Sequence, residues 1–203
     1  TDIYNQHLSE NGFFVDVGAF DGITCSNTRS LAESGWSGIC IEPIPYAYKQ
    51  CLDLYKNNPK ISIFNCGISN KEEMLILFEE GMLSTFRTTG IPKQRINEVN
   101  RYNVQCFTLD SILEQYNLSS IDVLSVDVEG FEDKVLEGFN INKYNPILCI
   151  VELHDGRYDA KSDGILSPYR DEELINKCKK YLINYNLIYS DHINNIYIRK
   201  NND

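Results

Sequence analysis

Short apolar runs alternate along the chain with stretches of helical periodicity. Phe13-Phe14-Val15-Asp16-Val17, Gly38-Ile39-Cys40-Ile41-Glu42 and Ile61-Ser62-Ile63-Phe64-Asn65-Cys66 read as strands, as do Val123-Leu124-Ser125-Val126 and Ile147-Leu148-Cys149-Ile150-Val151. Each is four to six residues of nearly continuous apolar character, the pattern of a strand covered on both faces. Helices are predicted over about 26–34, 46–57, 109–116, 131–139 and 171–185, with Tyr48, Cys51, Leu52 and Tyr55 at helical spacing in the second and Thr108 or Asp110 placed to cap the third. Residues 73–79 and 103–108 read as added strands, and Leu187-Ile188-Tyr189 with Ile196-Tyr197-Ile198, joined through Asn194-Asn195, as a closing hairpin.

Strands alternating with helices imply βαβ units and a doubly wound, mostly parallel sheet with a closing antiparallel strand. The 203 residues suit a single domain, with its motif-bearing core over about 12–153 and the closing helix and hairpin over 171–199. Ligands of such sheets sit beyond the carboxyl ends of the strands. Function is therefore expected at residues 16–27, 42–45, 66–70, 127–132 and 152–158.

Composition narrows the partners. A net charge of -10 disfavours a nucleic acid, whose phosphates need a basic surface. No stretch approaches the roughly 20 apolar residues of a bilayer span, and the opening Thr1-Asp2-Ile3-Tyr4 is not a signal peptide. The seven cysteines lack a C-x-x-C pair and several lie in apolar runs. They read as reduced core thiols of a cytoplasmic protein.

The turn Asp16-Val17-Gly18-Ala19-Phe20-Asp21-Gly22 follows the first strand. It is not the G-x-G-x-x-G of a dinucleotide site, and its two acids would repel a pyrophosphate. A ligand with a carboxylate, an ammonium group and no phosphate suits it better, and S-adenosylmethionine is such a ligand. Glu42 ends the second strand 20 residues after Gly22, where an acid commonly accepts both hydroxyls of an adenosine ribose.

These residues resemble the FkbM-type methyltransferases. The similarity runs through residues 13–22, Ser26-Asn27-Thr28, Gly35 to Pro43, Asn65-Cys66-Gly67-Ile68-Ser69 and Thr108-Leu109-Asp110. It is strongest at Leu124-Ser125-Val126-Asp127-Val128-Glu129-Gly130-Phe131-Glu132 and reaches Ile150-Val151-Glu152. The resemblance implies a class I methyltransferase (Rossmann-like) fold, S-adenosylmethionine as donor and a hydroxyl acceptor on a sugar, glycan or related small molecule. The cofactor would be bound by Asp16, Gly18, Ala19, Asp21, Gly22, Ser26, Asn27, Glu42, Pro43, Cys66, Gly67, Ile68 and Asp127. Phe20 stands where the family often has Asn, and Cys66-Gly67 where a small pair such as Asn/Ala is common.

Methyl transfer to an oxygen requires an aligned acceptor and a destination for its proton. Asp127, with Glu129 and Glu132 just after it, and Glu152 with His154 end two strands that parallel pairing would set roughly 5 Å apart. Two mechanisms fit: His154 or Glu129 acts as general base, with Asp127 beside it, or Asp127, Glu152 and His154 hold Mg²⁺ or another divalent cation. The metal-free base is slightly preferred. Glu132 reads as a solvated helix face, Ser84-Thr85 as an acceptor loop or an ordinary turn, and Arg157, Tyr158, Tyr169 and Arg170 as a long connection. The competing classes are a catalytically silent binding module and a nucleotide- or NAD-binding oxidoreductase.

Overall fold

A computed structural model of the chain describes residues 2–87, 98–153, 171–191 and 193–200. The elements in chain order are α1 (Asp2–His7), β1 (Phe13–Val17), α2 (Arg29–Glu33), β2 (Ser37–Ile41), α3 (Pro45–Tyr55), β3 (Ile61–Phe64), β4 (Gly67–Ile68) and β5 (Glu73–Glu79). They continue with β6 (Asn100–Phe107), α4 (Leu109–Leu113), β7 (Val123–Val126), α5 (Glu132–Glu137), α6 (Ile141–Tyr144), β8 (Leu148–Glu152), α7 (Glu172–Tyr181), β9 (Tyr185–Ser190) and β10 (Asn194–Arg199). Among the described residues no helix is long and apolar enough to cross a membrane.

Seven strands form one sheet in the order β3-β2-β1-β7-β8-β10-β9. Pairing is parallel from β3 through β8, and β10 runs antiparallel to both of its neighbours. This is the doubly wound, mostly parallel sheet that the sequence predicts. Strands β5 and β6, expected only as additions, form with β4 a separate three-stranded sheet of order β4-β6-β5, in which β6 pairs with both others.

The continuous apolar runs are explained by burial on both sides. Val15, Val17, Ile39, Ile41, Leu124, Val126, Cys149 and Val151 face one core layer, shared with residues of α4, α5, α6 and α7. The intervening Phe14, Cys40, Val123, Leu148 and Ile150 face the other, packed with Leu31 and Ala32 of α2 and Cys51 and Tyr55 of α3. Helix α3 begins with Pro45 in its first turn and buries Ala47, Cys51 and Tyr55, one helical turn apart. In α7 the Asp171 side chain caps Leu174, with acids in the first turn and lysines in the last, matching the helix dipole. Thr108, not Asp110, caps α4. Asp110 instead accepts the Asn140 amide at 2.8 Å.

Other readings shift. The hairpin turns before Asn194-Asn195, which already belong to β10, because Asp191 accepts the amides of Ile193 and Asn194 at 2.8 and 2.6 Å. Six of the cysteines are buried free thiols, but Cys25 is exposed.

The register matters most for the site. Val17 pairs with Ile41 on one side and Val126 on the other, and Val126 with Val151. Gly18, Glu42, Asp127 and Glu152 therefore follow on adjacent strands at one end of the sheet. Gly18 has φ +88, and a Cβ there would fall 1.7 Å from the Asp127 carbonyl oxygen. Gly130 has φ +92 and open space around it. Gly18→Ala is expected to cost more than about 4 kcal/mol or to prevent folding, and Gly130→Ala about 1–2 kcal/mol from backbone strain alone. Urea unfolding midpoints of the two variants check this, and equal losses would contradict it.

Candidate functional site

The first half of the site is built on β1 and β2. Asp16, near the end of β1, is 3% exposed and its Oδ2 accepts the Thr28 hydroxyl at 2.6 Å. Burial pushes its carboxyl up to about 6, against the hydrogen bonds of Thr28 and Ser125 and with help from the charge of Asp127. Past β1 the chain turns sharply. The Gly18 and Ala19 amides both donate to the Ile41 carbonyl, at 3.0 and 3.1 Å. Phe20 takes φ +48, and its amide donates to Glu42 Oε2 at 2.8 Å.

Glu42 also receives the Ile44 amide, on Oε1 at 2.7 Å. Burial drives its carboxyl up to about 7, although these two amides favour the ionised form. Asn65 Nδ2 supports the bend from beneath, donating to the carbonyls of Glu42 and Pro43 at 2.8 and 3.1 Å.

The remaining expected cofactor residues have definite structural tasks. Asp21 closes its own turn by accepting the Ile23 and Thr24 amides and the Thr24 hydroxyl. Burial works against the charge of Asp21, but these bonds together hold its carboxyl below the ordinary value. The Gly22 amide returns to the Ala19 carbonyl at 2.9 Å. Ser26 Oγ accepts the Thr28 and Arg29 amides at the start of α2, which is why the helix begins at Arg29 rather than at 26. Asn27 Nδ2 reaches Ser125 Oγ at 3.4 Å, while its carbonyl accepts the Tyr4 hydroxyl at 2.6 Å. Cys66 and Ile68 are buried in the core. Gly67 lies so close to Cys106 Sγ and the Phe86 ring that a Cβ would meet them at 2.5 and 2.8 Å.

The second half lies at the ends of β7 and β8. Oxygens of Asp127, Glu129 and Glu152 all lie within 4.8 Å of one another. Burial first, then the charges of Asp127 and Glu132, raise the Glu129 carboxyl to about 8. Glu152 is raised too, by burial and then by Asp127, Glu129 and Glu132. His154, expected as base or ligand, lies outside the described residues, as do Arg157, Tyr158, Tyr169 and Arg170.

Glu132 corrects the sequence reading. It is not on a solvated face but 1% exposed, and its Oε1 accepts the amides of Val128 and Gly130 at 3.2 and 3.1 Å. The turn after β7 leaves those amides without strand partners, and the first residue of α5 reaches back to satisfy them. Its Oε2 is buried with no hydrogen-bond partner among the described residues, and burial holds the carboxyl at about 7.

Sequence reasoning gave no role to Thr28 or Ser125, whose hydroxyls contact Asp16 and Asn27, and read Thr85 as part of an acceptor loop or an ordinary turn, whereas its hydroxyl donates to the Glu129 carbonyl. Short hydroxyl side chains carry no periodic signal. Arg87, which pairs with buried Asp133, was missed as well.

Residues 16–183 match the family described as Methyltransferase FkbM domain. A Bacillus mycoides (strain KBAB4) protein named 1,4-alpha-glucan branching enzyme GlgB is 27% identical over 188 residues, which are 86% of this chain and 27% of that protein. The crystal structure of methyltransferase FkbM from Methylobacillus flagellatus KT superposes with a TM-score of 0.59 at 14% identity, over 94% of this chain and 44% of that one. That likeness shows the shared class I methyltransferase fold. The chain thus spans about a quarter of the curated relative and under half of the solved one.

The buried acids make stability depend on pH. Asp16, Glu42 and Glu132 bind protons more tightly folded, at about 6, 7 and 7, than unfolded. Their contribution is therefore full below the unfolded carboxylate values near 4 and is lost as pH rises through the folded ones. The urea midpoint of the ligand-free protein should fall between about pH 5 and pH 8. A midpoint that rises over this interval would contradict the burial argument.

Proposed function

The chain belongs to the FkbM methyltransferase family, and from that premise we propose that it moves a methyl group from S-adenosylmethionine to a hydroxyl oxygen of a sugar, glycan or related small molecule. The observation that carries the reading is the pair of buried carboxyls, Asp16 and Glu42, set on adjacent strand ends around the Gly18 turn. Their chemistry fits this cofactor: acids accept ribose hydroxyls and an amino group, and they would repel a pyrophosphate. In this reading Glu42 takes the ribose, with Pro43 beside it. Asp16, Asp127 and the loop residues Gly18, Ala19, Asp21, Gly22, Ser26 and Asn27 surround the amino-acid end, and Cys66, Gly67 and Ile68 close the far wall. The described elements act as one methyltransferase domain. A carbohydrate acceptor agrees with the glucan-related name of the Bacillus mycoides relative.

When bound, the cofactor supplies an electrophilic methyl group on a sulfonium. The chain's own task is to align an acceptor hydroxyl and to take its proton. In this reading Glu129, beside Asp127 and Glu152, takes that proton in its ionised form, and His154 is the alternative base. A second reading is favoured by the three converging carboxylates: Asp127, Glu129 and Glu152, with His154, hold a divalent cation. A set dominated by three carboxylates suits Mg²⁺ or Mn²⁺, which would lower the pKa of the acceptor hydroxyl.

Calorimetric titration with S-adenosylhomocysteine tests the cofactor site. Wild-type protein should bind, and Glu42→Ala should weaken binding tenfold or more, about 1.4 kcal/mol, while melting cooperatively. No binding by folded wild type, with or without Mg²⁺, removes the methyltransferase reading.

Screening sugars with radiolabelled S-adenosylmethionine then tests the chemistry. Glu129→Gln should lower turnover by about 10²–10⁴-fold and leave S-adenosylhomocysteine affinity unchanged. Turnover abolished by EDTA and restored by Mg²⁺ selects the cation reading, and indifference to EDTA selects the base. Binding without methylation of any screened acceptor would favour a silent binding module.

A further inference from the structure

After β7 the chain passes through two consecutive residues of positive φ, Glu129 at +53 and Gly130 at +92. Glycine adopts such a conformation freely, but a glutamate there is strained by its Cβ. Something must hold it. From the α5 side, Glu132 Oε1 fixes the amides of Val128 and Gly130. From the opposite side, the hydroxyl of Thr85 donates to the carbonyl of Glu129 itself at 2.7 Å, across 44 positions of sequence.

Thr85 is fitted for this. It is 6% exposed, and its backbone amide and carbonyl are both paired with Phe78, at 3.1 and 2.9 Å. Its Oγ accepts the Arg87 amide at 3.0 Å, so the hydroxyl hydrogen is left for Glu129. The next two residues continue the contact in step. Phe86 meets the Phe131 ring at a centroid distance of 5.3 Å, and Arg87 pairs with Asp133 while lying 5.7 Å above the Phe131 ring. Three consecutive residues thus grip alternate positions 129, 131 and 133. Phe86 and Arg87 dock the two segments, and Thr85 bonds to a member of the carboxylate cluster.

We propose that Thr85 is a positioning residue: its hydroxyl holds the backbone of Glu129 in the left-handed turn that places the Glu129 carboxylate beside Asp127 and Glu152. The proposal rests on the reading of Glu129 as proton acceptor or cation ligand. It assigns a site role to Thr85, which follows β5 and is bridged to it through Phe78.

The test compares crystal structures and S-adenosylhomocysteine titrations of wild type, Thr85→Val and Thr85→Ser. Valine keeps the shape and removes the donor, and serine keeps the donor. In Thr85→Val, Glu129 should return to negative φ and its carboxylate should leave the cluster, whose oxygens in wild type lie within 4.8 Å of one another. Thr85→Ser should keep the wild-type arrangement, and all three proteins should bind S-adenosylhomocysteine within about twofold of one another. Should Thr85→Val not fold, Thr85→Ala removes the same donor and is read the same way.

A Glu129 that stays in place without the hydroxyl overturns the proposal, as does a Thr85→Ser protein displaced as far as Thr85→Val. Loss of S-adenosylhomocysteine binding in Thr85→Val alone overturns it too, by showing a general structural role. Wild type that binds no S-adenosylhomocysteine overturns the methyltransferase reading instead, and with it any catalytic meaning of the position Thr85 secures.

Discussion

Between Gly18 and the carbonyl of Asp127 there is no room for a single carbon atom: an added Cβ would lie 1.7 Å from that oxygen. This contact joins the two halves of the site. Gly18 opens the turn whose amides bond to Ile41 and thereby set Glu42, while the Asp127 amide bonds back to Val17 at 3.0 Å. The turn after β1 and the turn after β7 are thus locked against each other by backbone groups. A looser approach would shift the ends of β1 and β2, which carry Asp16 and Glu42, relative to the ends of β7 and β8.

The arrangement is electrostatically costly. Asp16, Glu42, Glu129, Glu132 and Glu152 all have raised proton affinities, and burial is the leading cause in each. Backbone amides and hydroxyls offset part of this, but an apolar replacement at Asp16 or Glu132 would make an easier core. Perturbed groups of this kind cluster at functional sites, and here they gather at one end of an otherwise apolar sheet. Under the proposed function the offset comes from the ligand. A sulfonium with an ammonium group brings positive charge to the first half, and an acceptor proton or a divalent cation brings it to the second. Ligand binding should then stabilise the folded chain through relief of repulsion as well as through contact.

The sheet was legible in the sequence because its central strands are buried on both faces. Val123–Val126 and Leu148–Glu152 have no exposed position, so an apolar run was enough to find them. Glu42 was legible because strand-helix-strand spacing brings an acid to the end of β2. Helix α1 has only Ile3 and Tyr4 packed partly on the core, and α6 has four residues, too few for a period to show. Glu132 was misread for a physical reason. One-dimensional periodicity assigns a charged residue in a first helical turn to solvent, whereas here the turn before the helix needed an acceptor for its orphan amides. The hairpin was misplaced in the same way: Asn194-Asn195 carries turn propensity, but the amides are gathered by Asp191.

The contacts that aim the chemistry were hidden because they are tertiary and made by side chains with no pattern. Thr28 on Asp16 and Thr85 on the Glu129 carbonyl join positions 12 and 44 residues apart. Neither hydroxyl is needed to build the strands, and each is spent on a carboxylate residue at a strand end. This divides the labour within the fold. Apolar alternation across the main sheet fixes where the strand ends lie, to within the register of one residue. A second layer of hydroxyls and amides, reaching in from α2, α5 and the smaller sheet, then fixes which way each acid faces. The smaller sheet is tied in by Gly67 under Phe86, by Phe86 on Phe131 and by Arg87 on Asp133. It forms a wall against the turn after β7, so a change in its connecting segment acts on the carboxylates directly, without passing through the core.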